Sequence, residues 1–348
     1  MTEPQLTQAK DAATDGFATD ALMTGTVVRA GGGVYEVDVQ EATIGEPLLC
    51  QVRGKLKQGR RASTQPVVVG DKVRARPLTS FGADARGRRL REGYIEEVLP
   101  RASWLGRARY QGARAQKLTQ IAVANLDQVI IVMAVREPNL NTHRLDRFLV
   151  LAESSSLNPV ICFNKCDLIT KREIKKEIEP LASLYSAMGY VPLLTSAETG
   201  TGIKDLRTHL QNHISAVLGS SGVGKSSLLN AVQLGLHLWV GDVMEMGKGR
   251  HITTEVSLHP LDGGGYIADV PGIKTVSLLE QQDVNLPLCF PEFALYLNGC
   301  RFNNCSHEHE PGCAVRAAVE EGAIAPSRYD SYLKILQDEK AAIKNQYS

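Results

Sequence analysis

Residues 219–226 read Gly219-Ser220-Ser221-Gly222-Val223-Gly224-Lys225-Ser226, the spacing GxxxxGK[ST]. Glycines so placed let backbone N–H groups turn inward onto phosphate oxygens, and a helix starting there adds the positive end of its dipole. Lys225 would reach the β- and γ-phosphates of a nucleotide and the Ser226 hydroxyl would ligate Mg²⁺, with Ser227 carrying the contact into the helix.

A phosphate loop does not choose a base. Asn164-Lys165-Cys166-Asp167 does, as an NKxD sequence at the end of the apolar run PVICFN. The Asp167 carboxylate can accept from guanine N1–H and from the exocyclic amine. Adenine offers neither donor, so the wrong base would leave a carboxylate unpaired. Asn164 would hold the loop and the base edge, and the Lys165 stem would lie along the ring. Thr195-Ser196-Ala197 ends the next apolar run, where the backbone N–H groups of Ser196 and Ala197 could meet guanine O6.

Two further stretches suit sensing of a γ-phosphate. Asp269-Val270-Pro271-Gly272 is a DxxG sequence: Asp269 would bind Mg²⁺ through water and the Gly272 N–H would meet the phosphate. Upstream, Gly249-Arg250-His251-Ile252-Thr253-Thr254 offers Thr253 or Thr254 to complete the Mg²⁺ shell with Ser226 and Asp269. A Ras-like protein carries glutamine directly after DxxG to orient the attacking water. Here that residue is Ile273, which cannot do so. His251 is the nearest replacement by sequence, as an orienting group or base; the alternative is a loop histidine with a structural hydrogen bond.

Cys300-x4-Cys305-x-His307-x5-Cys313 supplies three thiolates and one imidazole. That is a closed Cys₃His set suited to one structural Zn²⁺ per chain, with no open position for catalysis. His309 is a spare imidazole. The bland alternative is free thiols, as Cys50, Cys162, Cys166 and Cys289 are expected to be.

These motifs need strand ends to hold them. VIIVMAV, PVICFN, YVPLLTS, ISAVLG and YIADV alternate with helical stretches, the pattern of a parallel sheet covered on both faces, with ligands at the strand C-termini. Residues 22–100 read instead as about five short strands, an OB-fold β-barrel with an SH3-like barrel still open. Ser327 with Asp330 resembles a capping box for a last helix.

Charge is segregated. Residues 50–117 hold seventeen Lys or Arg against five acids, a surplus of twelve in a 348-residue chain whose net charge is +1. Such a stretch suits a polyanion, with Arg86, Arg88, Arg89 and Arg91 as backbone contacts, unless it is only a solvated basic surface. The composition is otherwise that of a globular cytosolic protein, 43% hydrophobic and 22% charged. No apolar run approaches membrane-spanning length, and residues 1–21, lacking a secretory signal, are expected to form a disordered tail.

In an ordinary small GTPase the phosphate loop precedes NKxD; here NKxD and Thr195-Ser196-Ala197 come first, a circular permutation. The permuted order, GSSGVGKSSLLN, GRHITTE, the preceding barrel and the trailing Cys/His cluster together resemble the ribosome small subunit-dependent GTPase A family (RsgA, also called YjeQ). The resemblance covers residue 22 to the C-terminus. It implies a GTPase stimulated by the small ribosomal subunit and acting in its late maturation, with rRNA as partner and His251 at the position of the family's proposed catalytic histidine. The departures are small: Ile252 stands where threonine is usual, and Thr199-Gly200-Thr201-Gly202 follows the Ser-Ala pair.

The expected organisation is an OB-fold RNA-binding domain (22–107), a circularly permuted Ras-like GTPase domain (108–283) and a zinc-binding domain with a C-terminal helix (284–348). The protein is expected to be a cytoplasmic monomer that binds GTP and GDP and no membrane. A rival reading makes it an rRNA-binding assembly factor regulated by GTP occupancy, with hydrolysis incidental. A P-loop ATPase or kinase is a second rival, which Asp167 argues against.

Overall fold

The computed structural model describes residues 21–39, 46–53, 66–111, 116–234, 236, 256–269 and 284–346. His251, Ile252, Thr253, Thr254, Gly272, Ile273 and all but the last residue of the expected tail lie outside these.

Five strands close the N-terminal barrel: β1 (Met23–Gly31), β2 (Val34–Val39), β3 (Leu48–Val52), β4 (Lys72–Ala83) and β5 (Arg89–Val98). They run in the order β1-β2-β3-β5-β4, and β4 pairs back onto β1. β3 and β5 are parallel and the other pairs antiparallel. This order is that of an OB-fold and settles the choice against the SH3-like barrel. Period-2 alternation sends Met23, Val27, Val37, Leu48, Val73 and Ile95 inward.

The hairpin of β6 (Trp104–Gln111) and β7 (Gln116–Ala124) follows. Its root residues Leu105 and Val123 pack with Val129 and Ile131 of the second sheet. The boundary expected at 107/108 therefore falls inside this hairpin, where Arg107 pairs with Gln120.

The second sheet holds β8 (Gln128–Ala134), β9 (Asn158–Asn164), β10 (Val191–Leu194), β11 (Ile214–Leu218), β12 (Ser257–Pro260) and β13 (Tyr266–Asp269). Its order is β10-β9-β8-β11-β13-β12; only β12, at the edge, is antiparallel. Every residue of β8 is buried, and its apolar side chains alternate between two cores: Ile130 and Val132 on one face, Ile131 and Met133 on the other. Helices α1 (Thr142–Ser154) and α2 (Glu179–Ala187) cover the second of these faces, and α3 (Ile203–Leu210) and α4 (Lys225–Val232) the first. A bridge between Arg29 and Ser257 joins the barrel to β12.

The C-terminal region, ending in α5 (Ala314–Glu320) and α6 (Pro326–Gln346), shares the core over α1: Phe290, Phe293, Cys313, Tyr332 and Ile335 are continuous with Leu145 and Leu149. The capping box read at Ser327 does not open α6. The helix starts at Pro326, whose missing N–H suits a first turn, and the Ala325 carbonyl accepts from Arg328 and Tyr329. Among the described residues, no helix is long and apolar enough to cross a membrane.

Candidate nucleotide and metal sites

β11 delivers the phosphate loop at its C-terminal end, and α4 begins directly after it. Gly224 has φ +89°, and a Cβ there would lie 2.6 Å from Asn164 Nδ2. Gly219, at φ +151°, would place one 2.5 Å from the Val132 carbonyl oxygen. Both positions are closed to side chains because β8 and β9 crowd the loop from behind. Lys225 is buried, and its ammonium donates to the carbonyls of Gly219 at 3.1 Å and Ser220 at 2.7 Å. Ser220 is half-buried, Ser221 and Gly222 are exposed, Val223 is buried, and Ser226 and Ser227 are exposed in the first turn of α4.

The NKxD loop leaves β9 on the same edge. Asn164 is 1% exposed; its amide donates to the Val223 carbonyl at 3.0 Å, and its oxygen accepts from the Thr195 hydroxyl at 3.2 Å. The side chain thus staples the base loop to the phosphate loop and to the strand that follows, which narrows the base-edge role expected for it. Lys165 adopts a left-handed backbone, φ 64°, and its ammonium donates to the Glu137 carbonyl. Its stem would meet a Cβ added at Gly224 at 3.7 Å, so it runs beside the phosphate loop.

Asp167 is exposed and accepts a hydrogen bond from the Ser196 hydroxyl. Ser196 is fully buried; its oxygen also accepts from Thr199 N–H at 3.1 Å, and its N–H donates to the Thr201 carbonyl at 3.0 Å. The Thr-Gly-Thr-Gly stretch after the Ser-Ala pair therefore holds the serine that aims the carboxylate. Ala197 follows, half-buried.

Asp269 ends β13, one residue beyond Ala268, which pairs with Ala216 of β11. It therefore emerges on the edge that carries the phosphate loop. A serine hydroxyl and a carboxylate are hard oxygen donors, the set Mg²⁺ prefers.

Sequence reasoning missed Arg144. It lies in the first turn of α1 and donates to Ser220 Oγ at 2.9 Å. No spacing rule links a helix to a loop 76 residues away.

The second cluster is Cys300, Cys305, His307 and Cys313, whose candidate ligand atoms lie within 4.8 Å of one another. His307 Nδ1 is 3.5 Å from Cys300 Sγ and 3.4 Å from Cys313 Sγ. Four soft or imidazole donors at that separation fit one tetrahedral ion. Burial pushes the His307 imidazole below its ordinary pKa, which favours the neutral ligand form. Glu310 organises the loop by accepting from the N–H groups of Ser306, Glu308 and His309 and from the Ser306 hydroxyl. The Ser306 hydroxyl and these amides hold its carboxyl well below the usual range. Tyr329 and Tyr332 donate to the carbonyls of His307 and Ser306, both at 2.7 Å. His309 is 80% exposed and stands outside the cluster. Cys50, Cys162, Cys166 and Cys289 are buried, and burial pushes the thiols of Cys50, Cys162 and Cys289 up to about 12, so these are packing residues.

The basic barrel is partly structural. Arg101 pairs with buried Asp71 at 2.6 Å, Arg76 with Glu96 at 2.7 Å, and Arg88 with Asp84 at 2.6 Å and Glu36 at 2.8 Å. Arg86 and Arg89 are exposed, and the Arg89 guanidinium lies 4.9 Å over the exposed Phe81 ring.

Comparison with known proteins shows the family of the chain. The RsgA GTPase family model matches residues 98–279. The small ribosomal subunit biogenesis GTPase RsgA of Gemmatimonas aurantiaca is 42% identical over 91% of this chain and 97% of its own. Its namesake from Caldanaerobacter subterraneus is 38% identical over 93% and 98%. Among solved structures, YjeQ from Thermotoga maritima is similar with a TM-score of 0.68 at 35% identity, covering 92% of this chain and 99% of that one. YloQ, described as a circularly permuted GTPase, is similar with a TM-score of 0.69 at 28% identity, covering 93% and 97%. With its permuted order of guanine and phosphate loops, the chain belongs to the RsgA GTPase family.

Proposed function

We propose that this protein hydrolyses GTP to GDP and phosphate, that the small ribosomal subunit stimulates the reaction, and that the protein acts in late maturation of that subunit. The observation that carries the nucleotide reading is the Asn164–Val223 bond, which unites a guanine-reading loop and a phosphate loop in one site. The ribosomal reading is drawn from the family and from the exposed Arg86 and Arg89 of the barrel. The setting is the cytoplasm, the working form a monomer, and the partner surface rRNA.

In this reading Asp167, aimed by Ser196, selects guanine, and the backbone N–H of Ala197 meets O6; the Ser196 N–H expected beside it is taken by the Thr201 carbonyl. The N–H groups of residues 219–227 wrap the phosphates, and Lys225 leaves its carbonyl partners for the β- and γ-oxygens. Ser226 and Asp269, with Thr253 or Thr254, would hold Mg²⁺, which neutralises charge on the transferred phosphoryl group. Gly272 N–H meets the γ-phosphate. His251 orients or deprotonates the attacking water, since Ile273 cannot. Cys300, Cys305, His307 and Cys313 would hold one structural Zn²⁺ that fixes the fold of the C-terminal module and takes no part in chemistry. The units are an RNA-contacting barrel, the nucleotide domain and the metal module.

The test is single-turnover GTP hydrolysis titrated with purified small subunits, for the wild type and His251→Ala. Stimulation in the wild type, reduced about 10²–10⁴-fold in the variant with unchanged GTP affinity, is the expected result. A wild type that subunits do not accelerate would make GTP an occupancy signal only. Full stimulation of His251→Ala would place the catalytic group elsewhere.

A further inference from the structure

Helix α1 shows two faces to two different partners. Its N-terminus is fixed by Asn141, whose side-chain oxygen accepts from Arg144 N–H at 2.9 Å. From that first turn the Arg144 guanidinium donates to Ser220 Oγ at 2.9 Å. Ser220 is the second residue of the phosphate loop, and its own carbonyl accepts from Lys225 at 2.7 Å. Where the α1 terminus stands therefore bears on where the loop holds both Ser220 and the lysine.

Two residues further on, the helix points the other way, because positions i and i+2 do not share a face. Asp146 is 1% exposed and accepts from Arg328 of α6 and from the Tyr185 hydroxyl at 2.8 Å. Arg328 is itself 1% exposed and also grips Glu292 at 2.7 Å. Its guanidinium lies 4.6 Å over the Phe290 ring. Phe290 packs on Phe293 at 5.2 Å and on Tyr332 at 5.3 Å, and both of those rings lie 6.3 Å from the imidazole of His307. A ladder of rings thus runs from the metal cluster to Arg328. The adjacent Arg147 adds an ion pair to Asp338 of α6. A buried arginine held by two carboxylates has no water to replace a lost partner, so α1 and the C-terminal module move together.

We propose that Arg144 is a positioning residue of the phosphate loop, and that through it α1 ties the nucleotide site mechanically to the C-terminal metal module. The proposal rests on reading residues 219–226 as the nucleotide loop. It supplies a link between the two sites made of a hydrogen bond, a packed helix, ion pairs and stacked rings, the kind of contiguous contact that carries coupling. Arg144 acts through Ser220 and need not touch the nucleotide.

The experiment uses the full chain. Dissociation constants for GTP and GDP are measured for the wild type, Arg144→Ala, Ser220→Ala, the double variant and Arg144→Lys. Each alanine variant should weaken binding about 2- to 10-fold, the range of one net hydrogen bond. The double variant should be no weaker than the singles, because the two share one interaction. Arg144→Lys, which keeps a donor, should recover part of the loss. Amide hydrogen exchange across residues 314–340, with and without GDP, gives a second readout that a purely structural role would not move. The wild type should show a GDP-dependent difference there, and Arg144→Ala should lose it. Additive losses, a difference that survives in Arg144→Ala, or none in the wild type would each overturn the proposal. A wild type that bound neither GTP nor GDP would instead remove the nucleotide-loop assignment beneath it.

Discussion

Asn164 of the guanine-reading loop donates its side-chain amide to the backbone carbonyl of Val223 in the phosphate loop, 3.0 Å away and 59 residues later in the chain. One buried amide thereby ties the two loops together, and in the proposed reading sets the distance between base and phosphate recognition. Asn164→Ala leaves the Val223 carbonyl and the Thr195 hydroxyl without that partner. The variant should lose about 1–3 kcal/mol of stability, seen in denaturant unfolding, and should weaken GTP and GDP binding alike. A loss confined to GTP would contradict the staple.

Base choice should rest on Asp167. Asp167→Asn keeps an oxygen to accept from Ser196 and presents an amide donor where guanine presents its own amine. GTP affinity should fall by about 10- to 100-fold, the loss of one or two charged hydrogen bonds, and xanthosine triphosphate should gain. Competition between the two triphosphates reads this directly; unchanged GTP affinity would end the assignment.

Metal analysis of the purified protein should find about one Zn²⁺ per chain, as a single Cys₃His set implies. Cys305→Ala should lose it. Residues 284–346 should then exchange amide hydrogens faster, α1 with them because its core is shared, while nucleotide binding weakens by no more than the roughly 2- to 10-fold expected for loss of the Arg144–Ser220 contact. A metal-free wild type with slow exchange in this region would show that the rings and Arg328 suffice.

The barrel should contribute salt-sensitive binding to rRNA. Arg86→Ser with Arg89→Ser should weaken subunit affinity and lower its salt slope by about two, one per lost phosphate contact. Arg88 is best left intact, because its pairs with Asp84 and Glu36 hold the barrel. An unaltered slope would return this segment to a solvated surface.

A pH dependence follows from His259 on β12. Burial, with the nearby charges of Arg29 and Arg86, lowers its pKa from 6.5 to about 4. Between those values the unfolded chain binds the extra proton and the folded chain does not, so this contribution to stability falls as pH drops from 6.5 to about 4. His259→Gln keeps an acceptor for the Ser257 hydroxyl and should show a shallower loss over that window in urea unfolding. Parallel profiles for the two proteins would assign the slope to other groups.

Much of the site was legible because its chemistry is local. Gly219, Gly224 and Lys225 are fixed by loop geometry within eight residues, NKxD by the end of one strand, and Cys300, Cys305, His307 and Cys313 by spacing within fourteen. Arg328 also left a trace: it shares the helical stripe of Tyr332 and Ile335, where an arginine needs buried carboxylates. The capping box misled because Ser327 and Asp330 have the right spacing, but the helix starts at Pro326, so Ser327 already lies inside its first turn.

The sequence by itself determined the strand periodicities, the two recognition loops, the donor set for a metal and the permuted order, since each depends on residues close together in the chain. Only the tertiary structure decided the barrel's strand order, because β3–β5 pairing depends on closure and not on local pattern. It alone brought Asn164 to Val223, Ser196 to Asp167 and Arg144 to Ser220, and set Asp146 against Arg328 across 182 residues. Those contacts arise where parallel strands end on one edge and helices share one core. Packing makes these long-range partners, and no spacing in a one-dimensional sequence encodes them.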